Sequence, residues 1–495
     1  MNTHVATTTG SATYNEQPPF HPAEDWPELR FPQRASGPNP AYGLLRRAFV
    51  DLGMDRGRFG TPAWNPFGEL IRPGDTVVLK PNFVTGRHTA GGTLASVVTH
   101  PSVLRAVLDY AFIALDGHGR LVIADAPSME CQWDELMEFE QLPAIQRFYA
   151  EQFGFKIDVL DLRNFCIIDP SEVFYADNRR TLPGDPQGTL AVDLGQRSAF
   201  IDLAASEARY YGADFNRKET IALHSQGKHE YHLSQTIYSA DVVISVPKMK
   251  VHKKVGVTLN LKGLVGTCTN KNCLIHYRVG APGQGGDQIP GDRSGSDLKV
   301  LGIKRRLMDL LLARQSPVGD LLYGAARGLY RVFLKPFFGI SAGTVIRDGG
   351  NWSGNDSAWR MTSDLAKLVF FAQPDGSLAG VPVRRMFCVV DGIMGGDLEG
   401  PLTPDPVPAG CLVAGGNPFA VDMVAARLMG FDVRKIRQFD LLGSPEWDFG
   451  LRDPGDVQVT VDGKDVAAGE FFASAWRSPL PAFRPHPGWA GAIEC

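Results

Sequence analysis

Short apolar runs alternate along this chain with segments of helical period, and glycine, proline and polar turns punctuate both. Residues 76–79, 121–124, 157–160, 242–246, 386–390 and 412–414 are apolar or nearly so and rich in β-branched side chains, the composition of strands buried on both faces. Helices are expected at 41–52, 143–153, 364–372 and 420–429. Another helix opens at Pro101, because proline suits the first helical position and Thr99 or His100 the cap before it. Its Val103, Leu104, Val107, Leu108 and Ala111 recur at helical spacing and should face a sheet. Strand and helix in turn predict an α/β fold: a mostly parallel sheet with flanking helices in Rossmann-like layers, interrupted by a helical insertion.

The chemistry concentrates between residues 239 and 266. The apolar run Val242–Val246 meets Pro247, which has no N–H for a ladder and is expected to end the strand. Lys248, Lys250, His252, Lys253 and Lys254 follow, then Asn260, Lys262 and the glycines 256, 263 and 266. Open α/β sheets build anion sites where buried strands release cations at their C-terminal ends. A second strand ends alike, in Lys80-Pro81-Asn82; a third ends in a carboxylate, Asp125, Asp391 follows a fourth, and Asp422 lies on the helix after a fifth. Lys80, Asp125, Lys248, His252 and Asp391 are therefore expected to share one cleft. The alternative is that Lys80 and Asp125 merely terminate and cap their strands.

Composition narrows the class. At 495 residues, with 44% hydrophobic positions, the chain supports a large core, and a net charge of −4 argues against nucleic-acid binding. Seven cysteines, 54 glycines and 35 prolines fit a loop-rich protein of a reducing compartment. No apolar run reaches the ~18 residues a membrane span needs, and residues 1–17 are polar with no apolar region behind them, so the location expected is cytoplasmic. Expected divisions are a loosely ordered arm (1–40), a first part of the α/β core (41–275), a glycine-rich loop and basic amphipathic insertion (276–345), a second core part (346–480) and a tail (481–495). Residues 296–340 interleave Arg and Lys with Leu, Phe and Tyr, which suits helices packed beside the cleft, a dimer contact or a membrane surface. The histidines 224, 229 and 232 match no zinc spacing, and Cys268 with Cys273 lacks a second pair. There is no Walker loop, no G-x-G-x-x-G after the first strand and no G-x-S-x-G elbow.

Taken in order, VVLKPNFV (77–84), HPSVLRAVLDY (100–110), VIADAPS (122–128), the 240–266 stretch, VVDGIMGG (389–396) and NPFAVDMVAARLMGF (417–431) resemble the bacterial and archaeal domain-of-unknown-function family 362. The resemblance implies the α/β architecture. It also implies an association with ferredoxin-type Fe–S modules or redox proteins, from which this sequence departs, because it has no C-x2-C-x2-C run.

The leading expectation is an enzyme that binds an anionic small molecule, carboxylate or phosphate. His252, Lys248 and Asp391 would be catalytic, with His252 as a neutral base whose pKa is depressed by neighbouring lysines. Lys80, Asn82, Lys250, Lys262 and His100 would bind substrate, and Asp125 and Asp422 would hold a divalent metal if one takes part. The other readings are a redox or metal-handling partner protein without its own cluster, and a membrane-surface scaffold. A homo-oligomer is compatible with each.

Overall fold

The computed structural model describes residues 2–169, 178–213, 216–291 and 348–495. Twelve strands form one mixed sheet. In chain order they are β1 (His4–Thr9), β2 (Thr76–Pro81), β3 (Arg120–Asp125), β4 (Ile157–Asp161), β5 (Val242–Val246), β6 (Lys248–His252), β7 (Gly256–Val257), β8 (Arg385–Asp397), β9 (Asp405–Val407), β10 (Cys411–Gly415), β11 (Gln458–Val461) and β12 (Lys464–Val466). The main path runs β12-β11-β1-β10-β8-β5-β2-β3-β4. From β8 to β4 all neighbours are parallel, in the doubly wound manner the sequence predicts. Beyond β8 the sheet turns mixed, since β10 is antiparallel to both β8 and β1.

The helices that matter are α1 (Pro40–Asp51), α2 (Pro101–Leu115), α3 (Trp133–Glu140), α4 (Leu142–Phe153), α5 (Leu259–Gly263), α6 (Ala358–Phe371) and α7 (Pro418–Leu428). Alternation along each strand splits the core in two. Val77, Leu79 and Ile244 pack with α1, α2 and α4, whereas Val78 and Val243 pack on the face covered by α6 and α7. Each such side chain removed from water contributes about 1.5–3 kcal/mol, so both faces must be covered for the sheet to persist. Helix α2 begins as expected: Pro101 opens it, and the His100 ring accepts from the Ser102 N–H at 3.2 Å.

Three expectations about segments need correction. Residues 4–9 are not a loose arm but strand β1, inserted between β10 and β11. Its HVATTT sequence looks polar, yet Thr7 and Thr8 are fully buried and the Thr8 hydroxyl donates to the Leu44 carbonyl at 2.9 Å. β-branched threonines suit a strand once their hydroxyls find an acceptor. Residues 481–495 are no free tail either. Phe483, Trp489 and Ile493 are buried, and the Trp489 indole N–H donates to the Lys253 carbonyl at 2.7 Å. Pro247 does not end the extended chain: β6 follows at once, wholly buried and parallel to β8. The helices expected over 296–340 fall outside the described residues.

Candidate anion site

Strand β6 sets the site. Its sequence KMKVH alternates, with Met249 and Val251 in the apolar core and Lys248, Lys250 and His252 on the opposite side. The cations are thereby buried at the sheet's C-terminal edge rather than released into a loop. There a cavity of about 350 Å³ opens between β6, the ends of β2 and β3, the α5 segment and the 276–277 turn.

Five lysines line it: Lys250, Lys253, Lys254, Lys262 and Lys271. Three are held by neutral oxygens. Lys250 donates to the Val97 and Pro401 carbonyls, the latter at 2.9 Å; Lys271 donates to Ala126 and Val265 at 2.6 and 2.9 Å; Lys254 donates to the Gly349 carbonyl and to Asn351 Oδ1. The Lys262 ammonium, 7% exposed, has no hydrogen bond or ion pair to any described residue. Burial depresses all five amines; repulsion from other cavity lysines adds to it for Lys250, Lys254 and Lys262, and repulsion from Lys80 for Lys271. Lys262 is lowered to about 7 by desolvation and then by Lys271, and Lys271 to about 8.

Among the described residues two carboxylates face this charge, Asp125 and Glu130. Asp125 is already committed. Its Oδ1 accepts from Lys80 Nζ and the Ala126 N–H, both at 3.0 Å, and its Oδ2 from the Phe83 N–H at 2.7 Å. Burial raises its pKa, opposed by Lys80. The pair lies so close to the chain at Gly266 that a Cβ there would come within 1.7 Å of Asp125 Oδ1 and 2.7 Å of Lys80 Nζ. Glycine is the residue that fits.

His252 and His276 complete the ring, both held well below the ordinary histidine value by desolvation and then by Lys262. His252 Nδ1 accepts from the Lys254 N–H at 3.0 Å. A backbone N–H can only donate, so the neutral ring carries its proton on Nε2. The residue expected as a base thus presents a donor. The other wall is organic in character: Phe83, Met129, Tyr211, Tyr277 and Leu402, with Tyr211 and Tyr277 stacked at 4.9 Å.

The expected site residues divide. Asn82, Asp125, Lys250, His252 and Lys262 line the cavity, and Lys80 stands behind Asp125. Lys248, Asp391 and His100 do not line it. Lys248 Nζ meets Asp391 Oδ2 at 2.6 Å, both fully buried, and Tyr14 seals them: its hydroxyl donates to Asp391 Oδ1 at 2.6 Å and accepts from Lys248 at 2.9 Å. The Tyr14 ring stacks on His100 at 3.8 Å, and the His100 N–H donates to Asp391 at 2.9 Å. Burial lowers Lys248 and His100 and raises Tyr14 and nearby Glu140, whose carboxyl has no described partner. This knot pins the N-terminal segment to β8.

Asp422 is also elsewhere, accepting from the Asn260 and Leu261 N–H groups, each at 2.8 Å, and from Asn260 Nδ2 at 2.7 Å. It anchors α5, and through it Lys262. Asp125 and Asp422 therefore do not form a metal site, and no group of three His, Cys, Asp or Glu side chains among the described residues could hold an ion. All seven cysteines are described and unpaired, and none of them belongs to such a group. His224 and His232 are engaged with the Cys273 carbonyl and Glu230.

Lys271, His276 and Tyr14 were missed in the sequence. Lys271 and His276 sit in polar segments without period, and Tyr14 was hidden in what looked like an arm.

An α/β protein with a cation-ringed cavity at the parallel end of its sheet is the class these features define. Residues 166–427 match the family model described as Domain of unknown function (DUF362), just over half the chain, and the protein belongs to that family. No curated protein matches the chain. A crystal structure of a Thermotoga maritima protein, a structural-genomics target, aligns with TM-score 0.31 and 9% identity over 77% of this chain and 58% of its own length, so the chain spans less than two thirds of it.

Proposed function

We propose that the cavity binds a small organic anion, carboxylate or phosphate, and that the protein is an enzyme acting on it. One observation carries this: among the described residues, five buried or half-buried lysines ring a cavity lined by two carboxylates, one of them already paired with Lys80. Buried cations without counter-ions cost free energy, and an incoming anion relieves that cost. Lysine serves phosphate and carboxylate alike as a point charge, and His252 Nε2–H adds a directed donor. The apolar wall of Phe83, Met129 and Tyr277 gives the ligand a body as well as a charge.

The test is a thermal-shift screen of sugar phosphates, nucleotides and mono- and dicarboxylates against neutral analogues. Anionic members should raise the melting temperature, and Lys253→Met should weaken the response. Equal response to anions and neutral analogues would overturn the reading.

A further inference from the structure

We propose, resting on that anion-site reading, that Lys262 is a nucleophilic amine that condenses reversibly with the carbonyl group of an organic anion and holds it as a protonated imine. The other lysines of the cavity each have a different situation: Lys250, Lys254 and Lys271 donate to fixed oxygens, and Lys253 is only half-buried. Lys262 alone among them is buried and without a described partner. Its position is nonetheless fixed, because α5 is clamped by Asp422 through three hydrogen bonds. A held backbone and an unengaged amine facing a cavity are what addition to a bound electrophile requires.

The surroundings supply the remaining parts. His252, with its proton on Nε2, can donate to the carbonyl oxygen and polarise it without giving up the proton. Lys253, Lys254 and Lys271 remain to hold the ligand's carboxylate or phosphate. His276, neutral at pH 7, has no side-chain hydrogen bond to a described residue and lines the same cavity, where it can relay protons. The amine is lowered to about 7, so about half is neutral at pH 7, about 10³ more than for an exposed lysine.

The step balances as follows. The neutral amine adds through its lone pair to the carbonyl carbon, and the oxygen takes a proton to give a carbinolamine. That oxygen then leaves as water while the C=N bond forms. Starting from the ammonium, two of its three hydrogens depart in the water and one stays on the imine nitrogen. No oxidant or reductant is consumed. The imine would withdraw electrons from the adjacent carbon, so the substrate class is a 2-oxo acid or a phosphorylated ketone or aldehyde.

The full-length protein is incubated with pyruvate, 2-oxoglutarate or dihydroxyacetone phosphate and sodium cyanoborohydride, and modified lysines are located by peptide mass spectrometry. The expected result is an adduct at Lys262 with at least one probe, formed about tenfold or more faster than at any exposed lysine given its larger neutral fraction, and ahead of Lys250, Lys254 and Lys271, whose amines are tied to fixed oxygens. Inorganic phosphate should suppress it. Lys262→Arg, which keeps the charge but cannot form the adduct, should still bind phosphate. Phosphate binding without any Lys262 adduct would overturn this inference and leave the anion site standing. Loss of both phosphate binding and adduct would overturn the two together.

Discussion

Replacing Lys262 with methionine should stabilise the protein while weakening anion binding. The side chain is buried, lacks a described partner and is lowered from 10.5 to about 7, by desolvation first and by Lys271 next. Between those two values the unfolded chain holds a proton that the folded chain does not, so stability contributed by this group rises with pH above 7. At pH 7 the folded amine is half charged and the unfolded one fully charged, which places the cost at up to about 4 kcal/mol. Methionine has similar length and no charge, so Lys262→Met should recover part of that cost, at least about 1 kcal/mol. Urea unfolding is the assay, because guanidinium would screen the charges in question. The gap between variant and wild type should be largest at pH 6–7 and shrink by about 1.4 kcal/mol per unit above it. A variant no more stable than wild type at pH 6, or a gap that does not change up to pH 9, would refute the reasoning.

Other expectations follow from single contacts. Gly266→Ala should destabilise by about 3–5 kcal/mol by prising apart the buried Lys80–Asp125 pair, a loss visible in urea midpoint; a change under about 0.5 kcal/mol would contradict the close approach. Tyr14→Phe keeps the stack on His100 but strips the hydroxyl from Lys248, Asp391 and the Met394 N–H, costing about 1–3 kcal/mol, and limited proteolysis should then cut first near residue 14. Asp422, pushed up to about 7 by burial, favours folding while protonated; that stability is complete below about pH 4 and lost as pH rises through 7. Asp422→Asn should therefore gain on wild type by up to about 4 kcal/mol between pH 4 and 8, read from parallel urea curves, and a constant difference would count against it. His252→Gln, whose amide can donate as Nε2–H does, should keep anion affinity within about tenfold, whereas His252→Leu should lose more; equal affinities would remove His252 from the site.

The strands at 76–79, 121–124, 157–160 and 242–246 were legible because continuous apolar, β-branched runs have few other uses. Lys80, Asp125 and Lys250 could be placed at the sheet's edge because each lies at or just past such a run. What misled was polarity. The lysines of KMKVH suggested a solvated loop, although Met249 and Val251 between them carry the period-two signal of a buried strand. The threonines of β1 concealed a central strand for the same reason, since a buried hydroxyl with an acceptor looks in sequence like an exposed one. Lys248 and Asp391 could not be separated from the cavity by sequence, because what withdraws them is Tyr14, more than 230 positions away from the first and more than 370 from the second along the chain.

Isothermal titration of the full-length protein with sulfate and with succinate at pH 8, in two buffers of different ionisation enthalpy, tests the central claim most directly. Neither ligand titrates there, whereas lysines lowered to about 7 and 8 are substantially neutral. A bound anion should draw protons back onto them, giving net proton uptake with a Kd below about 1 mM that weakens with added salt. Absence of binding by both anions, or binding without proton uptake, would contradict a cavity built to hold negative charge.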